Sequence, residues 1–345
     1  MSAALKVLQP GLCTTVQDMG RVGYQALGVP VAGALDPVAL RLANALVGNA
    51  ETAAGLEILM QGPTFEVEAD GVRVALAGTE SSIEILGEEP RRVSPWRSVT
   101  LSRGQKFRVG VLQGPATAIL AIAGGFAVES CMGSLSTYVR GAMGGFHGRP
   151  LRAGDALPLK CDAAPDGGDG QLVRAPDLGG DDPIRVVLGP QADYFTDAAI
   201  RAFLAGPYTV SREADRMGMR LDGPALEHRE TYNIVSDGIA NGAIQVPGSR
   251  QPILLLADRQ TTGGYPKIAT VISADLPKVG RRRPGDRIRF AAVSVAEAEA
   301  AARAAEADIA KFIAGIQPAT DAGLLDLASL YDGNLISGVV SGTDG

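Results

Sequence analysis

VRVALAGTESSIEIL, residues 72–86, sets the pattern for a chain of 345 residues. Val72 to Ala77 is apolar apart from Arg73, a turn follows at Gly78-Thr79-Glu80, and Ser82 to Leu86 places Ile83 and Ile85 on either side of Glu84. Short β-branched runs with a glycine turn between them predict paired strands, not a helix. Working outward, Phe107 to Leu112 and Thr117 to Ala123 read the same way. Further on, so do Ile184 to Leu188, Tyr208 to Ser211, Ile253 to Ala257, Ile268 to Ile272 and Arg287 to Ala291. The 44 glycines carry no Gly-X-Y period and fit many tight turns. The predicted fold is mainly β, a β-rich α+β arrangement with few helices.

Three segments depart from the strand pattern. In DPVALRLANALV, residues 36–47, Asp36 can cap, Pro37 sits at the first helical position and Gly48 closes the helix. Gln191 to Leu204 reads as helix. Ser294 to Ile313 is rich in alanine and glutamate, with Ser294 and Glu297 spaced for a capping box. Between the two strand-rich halves lies DAAPDGGDGQLVRAPDLGGDDP, residues 162–183, whose composition predicts a linker with little to bury. The expected organisation is therefore a first domain over 1–161, this linker, a second domain over 184–315 with its C-terminal helix, and a weakly patterned tail over 316–345. A faint echo joins the halves: Gly62-Pro63 with Gly223-Pro224, and Arg152 to Asp155 with Arg283 to Asp286.

A net charge of -6 and a pI near 5.1 argue against nucleic acid as a partner, and the basic run Arg281, Arg282, Arg283 reads as a solvated face. Three scattered cysteines and two histidines, His147 and His228, argue against a structural zinc site, and no metal is expected. The sequence shows no basic leader followed by an apolar stretch, and no apolar run of the roughly 20 residues that span a bilayer, so a cytoplasmic setting without membrane contact is expected. No phosphate loop, dinucleotide fingerprint or GxSxG elbow is present.

Four segments can carry chemistry. DRQTTGGYPK opens on Asp258 at a predicted strand end and supplies Thr261, Thr262, Gly263, Gly264, Tyr265 and Lys267. Adjacent glycines let backbone N–H groups approach an anion, Asp258 can serve as base or orienting group, and Lys267 can offset developing charge. A glycine hairpin carrying an ordinary charge explains the same residues. In READRMGMRLDGP, Arg216 and Arg220 share a face on either a helix or a strand and can converge on a carboxylate or phosphate. Surface pairing with Asp215 or Asp222 is the alternative. Gln245, in the apolar stretch GAIQVPG, needs partners if buried and can read a substrate amide. Gln17, Asp18 and Arg21 form a polar, glycine-punctuated edge suited to binding.

Taken in order, TTVQDMGRVGYQALGVPVAGALD, ANALVGN, LEILMQGP, GSLSTYVRGAMGGFHGRPLRAGD, VVLGPQADYF, SREADRMGMRLDGP, SDGIANGAIQVPG and DRQTTGGYPKIATVISADL resemble the biotin-dependent carboxyltransferase (allophanate hydrolase subunit 2) family. The resemblance implies two cyclophilin-like β-barrel domains without prolyl isomerase activity. It implies one of three roles: a component of bacterial 5-oxoprolinase, a carboxyltransferase component of a urea carboxylase system, or an antagonist of a kinase inhibitor. A free-standing chain without a biotin-carrier lysine motif is most similar to the C subunit of the ATP-dependent 5-oxoprolinases. That resemblance implies ATP at the level of a complex, no biotin on this chain, and two partners: a companion cyclophilin-like B subunit and an A subunit of another fold. It implies catalytic roles for Asp258, Lys267, Arg216 and Arg220. It also implies substrate contacts by Gln245, by Thr261 to Tyr265, and by Gln17, Asp18 and Arg21. The fused urea carboxylases carry asparagine at the position of Gln245.

Overall fold

The computed structural model describes residues 3–180 and 182–320. In the first half, alternating apolar positions sort into two antiparallel sheets around one core. One sheet runs, in spatial order, Ala156–Pro158, Ala4–Gln9, Thr64–Val67, Lys106–Val109, Ile83–Leu86 and Arg91–Val93. The other runs Cys13–Gln17, Gly55–Leu59, Thr117–Ile122, Gly71–Ala77 and Ser98–Ser102. Phe65 and Phe107 face each other in register, with ring centroids 5.5 Å apart. Thr117–Ile122 is buried at every residue because helix Pro37–Val47 lies across the outside of its sheet. That helix begins and ends as its sequence predicts: the Ala39 N–H donates to Asp36 Oδ1 at 2.9 Å, and Gly48 closes it at φ 82°.

The second half is one eight-stranded sheet. Its order is Arg287–Ile288, Tyr208–Ala214, Gly218–Asp222, Ile253–Leu255, Ala243–Gln245, Lys267–Val271, Ile184–Leu188 and Phe290–Ala292. The two edge strands are separated in sequence by residue 289 alone, so the sheet curls into a nearly closed barrel. Helix Asp197–Ala205 packs on that seam, where Phe203 stacks on Phe290 at 4.7 Å. The mainly β fold read from the sequence is the fold observed.

The echo between the halves has a shared geometry. In each R-x-G-D turn the arginine N–H donates to the aspartate carboxylate, at 2.7 Å for Arg152 and 2.8 Å for Arg283. The turn glycines, Gly154 and Gly285, stand at φ 88° and 95°, where a side chain would be strained. They donate to Val7 O and Val210 O at 2.8 Å each. The same valines donate back to Asp155 O and Asp286 O at 2.7 and 2.9 Å. The five strands from Ala156–Pro158 to Ile83–Leu86 also follow the path taken from Arg287–Ile288 to Ala243–Gln245.

Four expectations need correction. The predicted helix from Gln191 starts only at Asp197, because Thr196 Oγ1 accepts from the Ala199 N–H at 3.1 Å and fixes the helix start there. The segment 162–183 is not a free linker. Arg73 donates to Pro165 O and Gly167 O, Thr100 Oγ1 donates to Asp169 at 2.9 Å, and Gly170–Leu172 pairs with Ile316–Pro318. The expected tail therefore begins as a strand, and its residues 321–345 lie outside the described residues. The basic run is likewise no solvated face. Arg281 Nε donates to Asp36 at 2.6 Å, Arg282 donates to Gly180 O at 3.0 Å, and Arg283 donates to Leu112 O and Gly114 O at 2.6 Å each. Three guanidinium groups thus clasp the second half to the first half and to the segment that joins them.

Among the described residues no helix is long and apolar enough to cross a membrane. Asp36 is 1% exposed and holds both the helix cap and Arg281. Arg281→Ala leaves that carboxylate buried with one partner removed, and urea denaturation should show a loss of about 3–5 kcal/mol.

Candidate functional site

The family-signature segments meet where the two halves touch, and Arg216 sits at the centre. It lies in the turn between Tyr208–Ala214 and Gly218–Asp222, so it does not share a strand face with Arg220, and the expected convergence of the two does not occur. Its Nε and Nη2 donate to Asp258 at 3.0 and 2.9 Å, its Nη1 donates to Glu57, and its Nη2 also reaches Gly33 O at 2.7 Å. Glu57 comes from strand Gly55–Leu59 of the first half and takes the Leu35 N–H at 2.6 Å on its second oxygen. All three side chains are buried. Burial is the largest influence on Glu57 and pushes its carboxyl up, against the pull of Arg216. Burial works to lower the Arg216 guanidinium as well, but the two carboxylates outweigh it and hold its pKa above the usual value. Asp258, expected as a base or ring-holding group, is therefore engaged in the junction.

Gln17, Asp18 and Arg21, read as a binding edge, instead hold the glycine-rich loop over residues 131–145. Asp18 accepts from Ser134 Oγ at 2.7 Å, the Leu135 N–H at 2.6 Å and Ser136 Oγ at 2.6 Å. Gln17 donates to Thr137 O at 3.0 Å, and Arg21 donates to Ser136 O. Gly144 packs so close to Ser136 O and Arg21 that a Cβ there would clash with both. Gln17 Oε1 and Arg21 Nη1 are the atoms of this edge without a hydrogen-bond partner among the described residues.

The remaining predicted residues gather on the outer face of the second sheet. In register, Arg220 stands opposite Ile253, Ile253 opposite Gln245, and Gln245 opposite Lys267. Cross-strand partners in regular register point to the same side, so Arg220, Ile253 and Gln245 stand in line, about 5 Å from strand to strand, and Lys267 follows on the next strand after a register irregularity. A cleft of about 450 Å³ opens over the row. Arg140 of the first half, Arg212, Arg220, Gln245, Gln260 and Tyr265 supply polar groups to it, together with the carboxylates Glu213 and Asp215. Gln245 is buried, donates to Tyr265 O at 3.2 Å and accepts from Gln260 Nε2 at 3.3 Å. Arg140 reaches Asp215 at 3.4 Å, and Arg220 pairs with Glu213 at 2.7 Å.

Of Thr261 to Tyr265 only Tyr265 lines this cleft, with Gln260 just before the stretch. Gly263 and Gly264 do not take the left-handed conformation of an anion nest, and Thr262–Gly263 pairs as a strand with Asp237–Gly238. The glycine has a steric role: a Cβ on Gly263 would stand 2.8 Å from Gln245 Nε2. Lys267 Nζ pairs with Asp237 at 2.8 Å, and that hydrogen bond is the main reason the Asp237 carboxyl is held below its ordinary range. Sequence reasoning missed Glu57, Asp237, Arg140 and Gln260. Glu57 was legible only as a charge inside the apolar run LEIL, while Gln260, Asp237 and Arg140 sit inside the segments DRQTTGGYPK, SDGIANGAIQVPG and GSLSTYVRGAMGG, where no local pattern sets them apart from their neighbours.

The carboxyltransferase domain, subdomain A and B, is matched over residues 27–292, more than three quarters of the chain. The chain belongs to this carboxyltransferase family. Among its relatives, the 5-oxoprolinase C subunit of Escherichia coli is 38% identical over 298 residues, covering 85% of this chain and 93% of that protein. The protein of the same name from Haemophilus influenzae is 35% identical, covering 82% and 89%. Among solved structures, the urea carboxylase of Kluyveromyces lactis superposes with a TM-score of 0.82 at 30% identity over 90% of this chain. This chain spans 29% of that longer one. The matched residues 27–292 include those that build the junction and those that line the cleft.

Arg216→Ala would strand two carboxylates in the junction, and a buried pair broken on one side costs roughly 3–5 kcal/mol. Without the guanidinium, the folded-state pKa of Glu57 rises further above its unfolded value, so protonation favours the folded form and stability falls as pH rises through that window. Denaturation curves should show a smaller deficit for this variant at pH 5 than at pH 8.

Proposed function

We propose that this chain is the C subunit of an ATP-dependent 5-oxoprolinase, which opens 5-oxo-L-proline to L-glutamate together with a companion B subunit and an A subunit. The observation that carries the reading is similarity to the bacterial 5-oxoprolinase C subunit over 93% of that relative's length. The urea carboxylase match, in contrast, reaches 29% of a longer chain. The cleft fits the substrate class. 5-Oxo-L-proline carries one cyclic amide and one carboxylate, and the cleft presents two amide side chains, Gln245 and Gln260, beside Arg140, Arg212 and Arg220.

A lactam is a poor electrophile, and ATP, bound at the level of the complex, supplies the phosphoryl group that activates its carbonyl oxygen. The side chains of this chain position the ring. Gln245 and Gln260 offer both a donor and an acceptor to the lactam N–H and C=O, and a basic side chain at one end of the row holds the carboxylate. Arg220 and Lys267 flank the row and offset negative charge as the ring opens. Asp258 and Arg216 act one step back, by fixing the hairpin that forms the cleft wall. Arg140 alone reaches the cleft from the first half, so the site is made by both halves and opens toward solvent, where the B subunit completes it.

A urea carboxylase component is the second reading, favoured by the superposition on the Kluyveromyces lactis enzyme and by the same pair of amides, which would suit urea. A reconstituted mixture with the A and B subunits decides between them. It should release glutamate from 5-oxo-L-proline and ATP only when all three chains are present. Gln245→Ala should lower kcat/KM by roughly 10- to 100-fold, the worth of an amide contact of about 1.5–3 kcal/mol. An assembled three-chain complex that makes no glutamate would sink the 5-oxoprolinase reading.

A further inference from the structure

Lys267 is the one group of the row that the cleft does not reach. Its ammonium is 5% exposed and lies one strand beyond Gln245, where its ionic partner is Asp237. Asp237 is of a different kind: its side chain is 53% exposed, and it sits on a strap in which every residue from Arg229 to Gly238 except Ile234 is exposed. Tyr232 anchors the start of this strap by laying its ring over Gly248, whereas Val235, nearer Asp237, is turned outward at 92% exposure. The strap is fastened to the loop over Thr261 to Gly264 by few bonds. The Ile234 N–H donates to Gly264 O at 2.9 Å, the Ile239 N–H donates to Thr261 O at 3.0 Å, and Asp237 pairs with Gly263. No apolar core holds it down at Asp237 and Gly238, both of which are exposed.

The geometry points to Asp237 as a displaceable counter-ion for Lys267, and to the strap over residues 231–238 as a latch that a ligand carboxylate releases. The physical argument is one of charge. A buried ammonium keeps a counter-charge, because leaving it unpaired is costly. A half-exposed carboxylate, by contrast, gives up little when it returns to water. The strap can therefore lift from Lys267 when another anion takes the place of Asp237, and it stays down otherwise. Gln245, which lines the cleft, and Lys267 are register partners at the irregularity where their two strands meet, so Lys267 is the next side chain beyond the cleft once the strap lifts. A ligand bearing an amide and a carboxylate a few ångströms apart would span these two side chains. Gly263, which has no room for a Cβ beside Gln245, packs its backbone directly on that side chain, so the strand that pairs with Asp237–Gly238 lies immediately over Gln245. The inference rests on the cleft being the binding site of the proposed 5-oxoprolinase, and it names which group receives the carboxylate and what must leave first.

The test is lysine acetylation of the full-length chain by limiting acetic anhydride, read at Lys267 by peptide mass spectrometry with exposed Lys106 as internal reference. Lys267 should react at least ten times more slowly than Lys106 in the parent protein, and several-fold faster in Asp237→Asn. Saturating 5-oxo-L-proline or L-glutamate should suppress the faster reaction, and urea, which has no charge, should not. Unchanged labelling in an Asp237→Asn protein with the parent melting temperature would overturn the latch. Faster labelling that no carboxylate suppresses would overturn the anion site. The readout does not depend on turnover. Carboxylate protection of Lys267 alongside a three-chain complex that makes no glutamate would keep this site and discard the 5-oxoprolinase reading.

Discussion

One guanidinium, that of Arg216, organises the junction of this protein. It is buried, it bonds two carboxylates from opposite halves and it reaches a backbone carbonyl of the first half at Gly33. Such a group is stable inside a protein only if every partner is in place, because any one left unpaired is an uncompensated charge in a poorly polarisable surrounding. The halves therefore meet in one arrangement. The hairpin that carries Arg216 also forms a wall of the cleft, with Arg212, Glu213, Asp215, Gly218 and Arg220 on it. The site geometry on one side of the hairpin is thus tied to the charge balance on the other.

Around this centre the contacts between halves are mostly of arginine with backbone or carboxylate. Arg281 with Asp36, Arg283 with the turn over Leu112 to Pro115, and Arg140 with Asp215 repeat the same device at increasing exposure. Arginine suits this work because its planar fork makes several hydrogen bonds at once and its charge does not titrate in the ordinary range. Gly280 packs so near Leu35 O that a Cβ would stand 2.4 Å from it, so the same joint is also closed sterically. An acidic protein with few free basic patches follows from this use of its arginines.

The cleft shows a division of labour that the family resemblance alone does not convey. The candidate residues split into those that build the joint (Arg216, Asp258), those that hold the loop over residues 131–145 (Asp18, Arg21) and those that line the cleft (Arg220, Gln245, Tyr265). Lys267 belongs to none of these sets until Asp237 moves. The same ten-residue stretch, DRQTTGGYPK, supplies a joint residue, a cleft residue and Lys267, because it leaves the strand end at the junction, passes the cleft at Tyr265 and re-enters the sheet beside Gln245.

Many of the strands, the helices capped by Asp36 and Ser294, and the turn echo were legible in the amino-acid order. Each of these is a local matter of side-chain period, cap chemistry or a glycine at positive φ, and Asp36, Ser294 and Gly154 are each found in the role their neighbours imply. The segments that line the cleft, READRMGMRLDGP and DRQTTGGYPK among them, were marked there too. Which charges are spent on one another was not. Arg216 and Arg220 are equivalent by spacing, yet one lies in a turn facing Glu57, 159 residues away in sequence, and the other lies on a strand facing solvent. Asp237 and Lys267 are likewise joined only across 30 residues. Pairing of charges depends on distances of a few ångströms between segments remote in the chain. Those distances exist only once the chain has folded, and they decide which of the candidate groups is left free to meet a ligand.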